Sequence, residues 1–432
     1  MPRCSACRCS RSFDGAIFTM MSHTVLDSLA LGYEPVWNRE RQLAAVRLCV
    51  HPVHAAAVDA AHLMQALGDD WPESAPVLII SLDSPRLLQQ ALSSAPVHNT
   101  WLEVPAAPFD APETLAALSV ANRRGHRLLR RTDLVSLQQG KSPGFDVRNL
   151  LRPSPQEAAD ILQAQSTPGL HQRGLGVPPA QVFEAVQTQT FARYLLDDAG
   201  AWGLLGWPDA DVLQAHRHQA ISCDPRVIRQ ILQAIDDDCS LERLERLVRQ
   251  DPVLVYRILL LVNSAAYGLR QEIGSLRHAL MLLGFRELGR WLFEQLPGSE
   301  PDIDLQPVRA AMVMRARLAQ HMLATGSEDN LRLEVYTTAL FAHLDKLLHA
   351  PLADLLHKLP LSGRLYDAVL RHDGPYHPLL DVARAQGEPG QLHRLSAVCD
   401  RNEVSLEQAN RALIRMLATS RDHAGVRSER MV

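Results

Sequence analysis

The chain has 432 residues, roughly two to three domains' worth of sequence, with 47% hydrophobic, 21% charged and 5% aromatic side chains. These proportions exclude a disordered, collagen-like or coiled-coil chain. The 44 basic and 48 acidic residues leave a net charge of −4, so no electrostatic footprint for nucleic acid or an anionic membrane stands out.

Residues 1–21 carry no hydrophobic period and read as a disordered extension or a misplaced start, with Met20 and Met21 just before the first patterned sequence. Cys4, Cys7 and Cys9 cluster there, but no second Cys or His pair follows at ligand spacing, so no metal site is expected. The scattered Cys49, Cys223, Cys239 and Cys399 read as small hydrophobes of a reducing compartment. The longest apolar runs, 77–82 and 258–262, have the length of core elements rather than membrane spans, and a cytoplasmic location is expected.

From residue 22 to 210 short apolar runs alternate with amphipathic stretches. Strands are expected at 44–50, 77–82, 100–104 and 126–129, with helices at 55–67, 85–92 and 112–121 between them. The continuous apolar run at 77–82 is the mark of a parallel strand covered on both faces. Repeated βα units of this kind predict a parallel sheet or barrel. The Gly- and Pro-bearing segment 139–155 reads as a loop or an eroded unit, and weaker units follow it to Pro208.

From 211 to 400 strand patterns vanish. Ser240 is placed to cap one helix; Asp251-Pro252 starts a second that stops at Asn263; Ser275 is placed to cap a third, which Gly284 closes. Leu288, Trp291 and Leu292 begin a fourth, and residues 401–432 read as a C-terminal helix and tail. The expected architecture is α/β plus all-α: a shortened, eroded β/α barrel followed by an all-helical bundle.

The ordered pattern Asp251, Asn263-Ser264-Ala265, Gly268, Ile273, Ser275, Ala279 and Leu283-Gly284 resembles the HDOD domain, the HD-related output domain of bacterial signalling proteins. As residues, these are helix starts, stops and turns. Asp251, Asn263, Ser264, Gly268, Ser275 and Gly284 therefore read as a structural signature rather than as catalytic groups. The front half resembles a degenerate EAL domain, from the barrel family that hydrolyses cyclic di-GMP, through Gly32-Tyr-Glu-Pro-Val-Trp37, 77–82, Trp101-Leu-Glu-Val104 and 203–208.

Metal-assisted phosphodiester hydrolysis needs several carboxylates at strand ends. By the resemblance, the family's EAL glutamate falls within 43–47, which ends on Arg47 and holds no carboxylate. The next ligand falls near Ser81 and Asp83, while Glu103 matches a family glutamate and survives alone. Arg130 and Arg131 stand where an Asp pair is expected, with Asp133 isolated beyond them and Lys141 in the Gly/Pro segment. Glu103 reads as a strand-end carboxylate paired with Arg47 or Arg130; its alternative is a relic ligand beside Arg47. Arg47, Arg130 and Arg131 could instead accept an anion.

In the helical half the resemblance puts the HD doublet at Ala342-His343, with Asp345 two residues on, and offers only His321 as the upstream His. The literal doublet His372-Asp373 lies among turn residues and reads as a helix-terminus loop. His216, His218 and Cys223 read as a solvated linker. The combined expectation is a non-catalytic signalling adaptor without cofactor or metal. Its partners would be other signalling proteins, with no nucleic acid or membrane and no cyclic di-GMP bound. The alternative is a cyclic di-GMP receptor or residual phosphodiesterase.

Overall fold

The computed structural model describes residues 24–54, 58–139, 143–166, 177–219, 221–267, 272–296, 302–323 and 326–420. The expectations for 1–21, for Cys4, Cys7 and Cys9, and for Lys141 and Gly268 lie outside these residues.

Eight strands close a barrel: β1 (Leu29–Trp37), β2 (Leu43–Pro52), β3 (Val77–Leu82), β4 (Thr100–Pro105), β5 (Arg127–Thr132), β6 (Arg148–Leu151), β7 (Val182–Glu184) and β8 (Gly203–Leu205). β1 runs antiparallel to β2 and β8, and the other neighbours are parallel. The segment 139–155 contains the eroded unit, a strand β6 of only four residues. β7 and β8 shrink to three residues each, so the second half of the barrel carries little strand signal.

Strand alternation builds the barrel in layers. One residue from each strand points inward: Val36, Ala45, Ile79, Trp101, Leu129, Leu150, Val182 and Leu205 pack together as the barrel's own core. Their outward neighbours, among them Leu48, Leu78, Ile80 and Leu102, belong to the main core. That double burial is why β3 reads as an unbroken apolar run. Closure needs Gly203, because a Cβ there would stand 2.7 Å from the Val36 side chain. Below the apolar layer, the Arg148 guanidinium lies 4.8 Å from the Trp101 ring and 4.7 Å from the Trp202 ring.

The helical half begins at Pro225–Asp236 and continues through Leu241–Val248, Pro252–Val262, Leu276–Glu294 and Leu305–His321 to Leu406–Ala418. Ser240 and Asp251 cap as expected, accepting from the amides of Arg243 and Val253. Asp251 does more. Fully buried, it also accepts from the Asp224 amide at 2.6 Å and from Arg309 at 2.7 Å, tying three helices together. Asn263 ends its helix and clamps the loop beyond: its amide donates to Leu259 and Ile273 carbonyls, and its oxygen accepts from the Ile273 amide at 2.7 Å. Ser264 follows in the turn, its amide donating to the Leu261 carbonyl. Ser275 corrects the expectation, since it occupies the N-cap position but makes no side-chain cap bond. At Gly284 the helix Leu276–Glu294 breaks (φ 66°, ψ 163°), and the next turn starts at once.

The two halves share one interface along β1. The upper end of β1 outreaches β8, which pairs only with Val36 and Trp37. Side chains replace the missing strand there: Asn410 donates to the Leu26 and Leu29 carbonyls and accepts from the Leu31 amide, while Gln386 donates to the Leu31 carbonyl. At the opposite end Asp304, fully buried, accepts from Arg41 at 2.7 Å, from Gln189 at 2.8 Å and from Arg193. The reading of His216 and Cys223 as a solvated linker is corrected here. His216 is buried, bonded to the Val212 carbonyl at 2.8 Å and lying 3.3 Å from Asp302, and Cys223 is fully buried beside Arg257. His218 is exposed, as expected. Cys239 and Cys399 are buried and Cys49 half-buried, all as free thiols. No helix among the described residues is long and apolar enough to cross a membrane.

Candidate functional site

One strand position on from the apolar layer, the barrel mouth can be derived residue by residue. Two residues beyond Ala45, Ile79, Trp101, Leu129, Leu150 and Val182 stand Arg47, Ser81, Glu103, Arg131, Arg152 and Glu184. On the antiparallel β1 the same step runs backward, from Val36 to Glu34, which faces Arg47 directly in the strand register. The layer therefore holds three carboxylates and three guanidiniums.

Arg47 sits at its centre. It reaches Glu103 at 2.7 Å, Glu34 and Glu184 each at 3.4 Å, and Ser81 at 3.4 Å. Arg131 adds a second bond to Glu103 at 3.2 Å. Glu103 is 4% exposed; both arginines donate to its Oε1, while Oε2 is buried without a hydrogen-bond partner. Burial alone would lower the Arg47 pKa, but Glu103, Glu34 and Glu184 reverse the effect and raise it. Burial pushes Glu34 and Glu184 above the ordinary carboxylate range, against the pull of Arg47. Burial likewise lifts the Cys49 thiol, two residues beyond Arg47 on the same face of β2, to about 12 and leaves it inert.

The structure thus brings together Glu103 and Arg47, as anticipated, and adds Arg131. Arg130 turns the other way: it lies 3.7 Å from Asp110 and 5.1 Å from the Phe109 ring. Asp133 caps its own helix through Ser136, and Asp83 pairs with His51 at 3.1 Å. Glu103 does not stand alone, because Glu34 and Glu184 join it. Stepping two residues from the apolar layer reaches both, but β7 is too short to announce its phase. Among the described residues no group of three or more His, Cys, Asp or Glu side chains is arranged to hold a metal ion.

The helical half has a second concavity, of about 430 Å³, lined by Arg315, His343, His372, His377, Asp381, Arg384 and Arg401 over a floor that includes Ala339, Ala342 and Ala368. His343 is drawn into it, whereas His321 ends its own helix and is not part of the lining. Burial, together with the charges of Arg315, Lys346 and Arg384, pushes the His343 pKa down to about 3, so its imidazole is neutral at pH 7. His372 terminates the turn Asp367–Arg371 in a left-handed conformation (φ 56°). The literal His372-Asp373 pair is a helix-terminus loop whose histidine reaches the rim of this cavity. Asp381 is committed elsewhere: Arg384 and Arg401 each bond it at 2.6 Å, Asn402 at 2.8 Å, and its pKa falls to about 2 despite burial.

Residues 221–355 match the family model of the HDOD domain. Among curated proteins the chain is 28% identical over 149 residues to the uncharacterized protein YuxH of Bacillus subtilis, covering 34% of this chain and 36% of that one. It is 29% identical over 140 residues to the cyclic di-GMP phosphodiesterase CdgJ of Vibrio cholerae, covering 32% of each. The matches thus span about a third of each curated relative. Among solved structures, the MmoQ response regulator of Methylococcus capsulatus is similar at 19% identity and a TM-score of 0.35, over 45% of this chain and 98% of that one. A PaMucR phosphodiesterase in complex with c-di-GMP is similar at 16% identity and a TM-score of 0.28, over 41% and 89%. The chain carries an HDOD domain in its helical half, at residues 221–355, preceded by a closed barrel of eight strands.

Proposed function

We propose that the chain is a non-catalytic signalling adaptor whose barrel and HDOD domain work in the cytoplasm through contacts with other signalling proteins, not with nucleic acid or membrane. The observation that carries this reading is the position of Arg47. Its guanidinium lies among Glu34, Glu103 and Glu184, where a divalent cation would have to lie to use those carboxylates. A hard cation would meet a fixed positive charge there, in a layer whose three carboxylates are already matched by three arginines. A carboxylate that activates water beside a metal would have to do so within reach of this guanidinium.

The test is turnover. The purified chain, given cyclic di-GMP with Mn²⁺ or Mg²⁺, should release no linear dinucleotide. Metal-dependent hydrolysis would overturn the reading.

A second reading, a cyclic di-GMP receptor or residual phosphodiesterase, draws on the convergence of three carboxylates at the mouth and on the similarity to CdgJ. Calorimetry separates the two: a receptor binds the dinucleotide at micromolar or lower concentration and loses it in Arg47→Ala, whereas the adaptor gives no saturable heat.

A further inference from the structure

We propose that the cavity of the helical half is a binding site for a phosphate-bearing small molecule. Its lining is unbalanced in charge. Arg315, Arg384 and Arg401 face a single carboxylate, Asp381, which Arg384 and Arg401 already share with Asn402. Arg315 is left over. Among the described residues it makes no hydrogen bond or ion pair, and neither do His343, His372 or His377; the two last meet only each other, ring to ring at 5.6 Å. The half-buried Asp209, outside the lining, is near enough to Arg315 for the guanidinium to lower its carboxyl pKa against the effect of burial, but the two make no bond, and the lining itself keeps three arginines to one carboxylate. A half-buried cation with no bonded partner is unfavourable unless something supplies the missing charge.

The donors suit a phosphate. A guanidinium offers paired N–H groups to two oxygens of one phosphate. A neutral imidazole at His343 still donates one N–H, and His372 and His377 stand at the rim to add two more. His372 closes its helix in a left-handed conformation, with Gly374 at φ 81° in the turn beyond, and its side chain is part of the lining. The remaining wall is small and apolar, with Ala339, Ala342 and Ala368 leaving the space open. At about 430 Å³ the cavity is of small-ligand size, where pockets run from about 300 to 1,000 Å³. It holds one phosphate with an organic group against the alanines.

This inference is independent of the barrel reading. The experiment is calorimetry on the full chain with pyrophosphate, adenosine 5′-monophosphate and citrate as probes. Saturable binding of pyrophosphate or the nucleotide is expected, weakened at least tenfold by Arg315→Gln and severalfold by His372→Gln, and unchanged by Arg47→Ala. His372 is exposed at the rim, so its variant reports on binding independently of Arg315→Gln. Absence of saturable binding by either phosphate, preference for citrate, or affinity that both variants leave intact overturns the proposal.

Discussion

The barrel mouth and the helical cavity are both polar concavities lined by arginines, yet they differ in charge balance. At the mouth, Glu34, Glu103 and Glu184 meet Arg47, Arg131 and Arg152, and Arg47 alone contacts all three carboxylates. In the cavity, Asp381 serves two arginines and Arg315 has no bonded partner. At the mouth the charges are balanced in number, though Glu103 Oε2 and Arg47 Nε stay buried without hydrogen-bond partners, and a balanced cluster has little net charge to offer a ligand. One that is left in surplus contributes little to folding and has charge to offer. The contrast makes the mouth an architectural feature and the cavity a receptive one.

The largest expected effect comes from breaking the balanced side. Arg47→Ala leaves the buried Glu103 with only the exposed Arg131, and removing one member of a buried pair costs about 3–5 kcal/mol. Urea unfolding should register that loss; a change below about 1 kcal/mol would mean that the Arg47–Glu103 pair does not support the fold.

Asn263 provides a reference outside both sites. Asn263→Ala strips two bonds from Ile273 and one from Leu259, and should cost about 2 kcal/mol. It should leave phosphate binding at the helical cavity unchanged, and a selective loss of partner binding at full stability would instead make this corner the recognition surface.

On the receptive side acid should act through His343. Its folded pKa, about 3, lies below the ordinary histidine value of 6.5, so between those values the unfolded chain binds more protons. Stability should therefore rise with pH from about 3 to about 6.5 and be fully present above it, and His343→Gln should flatten this slope in thermal melts. Smallest of all is Arg315→Gln. Having no ion-pair partner to lose, it should shift stability by no more than about 0.5 kcal/mol in the absence of ligand.

Much of this arrangement is legible in the sequence because period and capping are local. The run Val77–Leu82, the Asp251-Pro252 start and the Asn263 stop all stand where pattern places them. Arg47 and Glu103 are legible as a pair because both lie on strands long enough to show alternation. Glu184 is not, since a three-residue strand has no visible phase, and Glu34 is hidden by the reversed direction of β1. His216 and Cys223 look like linker residues because nothing local reveals that Asp302 and Arg257 cover them. The surplus at Arg315 is likewise a tertiary property: His343 and His372 lie 28 and 57 residues downstream of it.

The central claim, that the Arg47 guanidinium takes the place a metal would need, is tested most directly by Mn²⁺ titration of the full chain and of Arg47→Ala. The unmodified chain should bind no Mn²⁺ at the barrel mouth. Arg47→Ala should gain one saturable site, held by Glu34, Glu103 and Glu184, and recover part of its lost stability as that site fills. Saturable binding of Mn²⁺ by the unmodified chain, abolished by Glu103→Gln, would contradict the account.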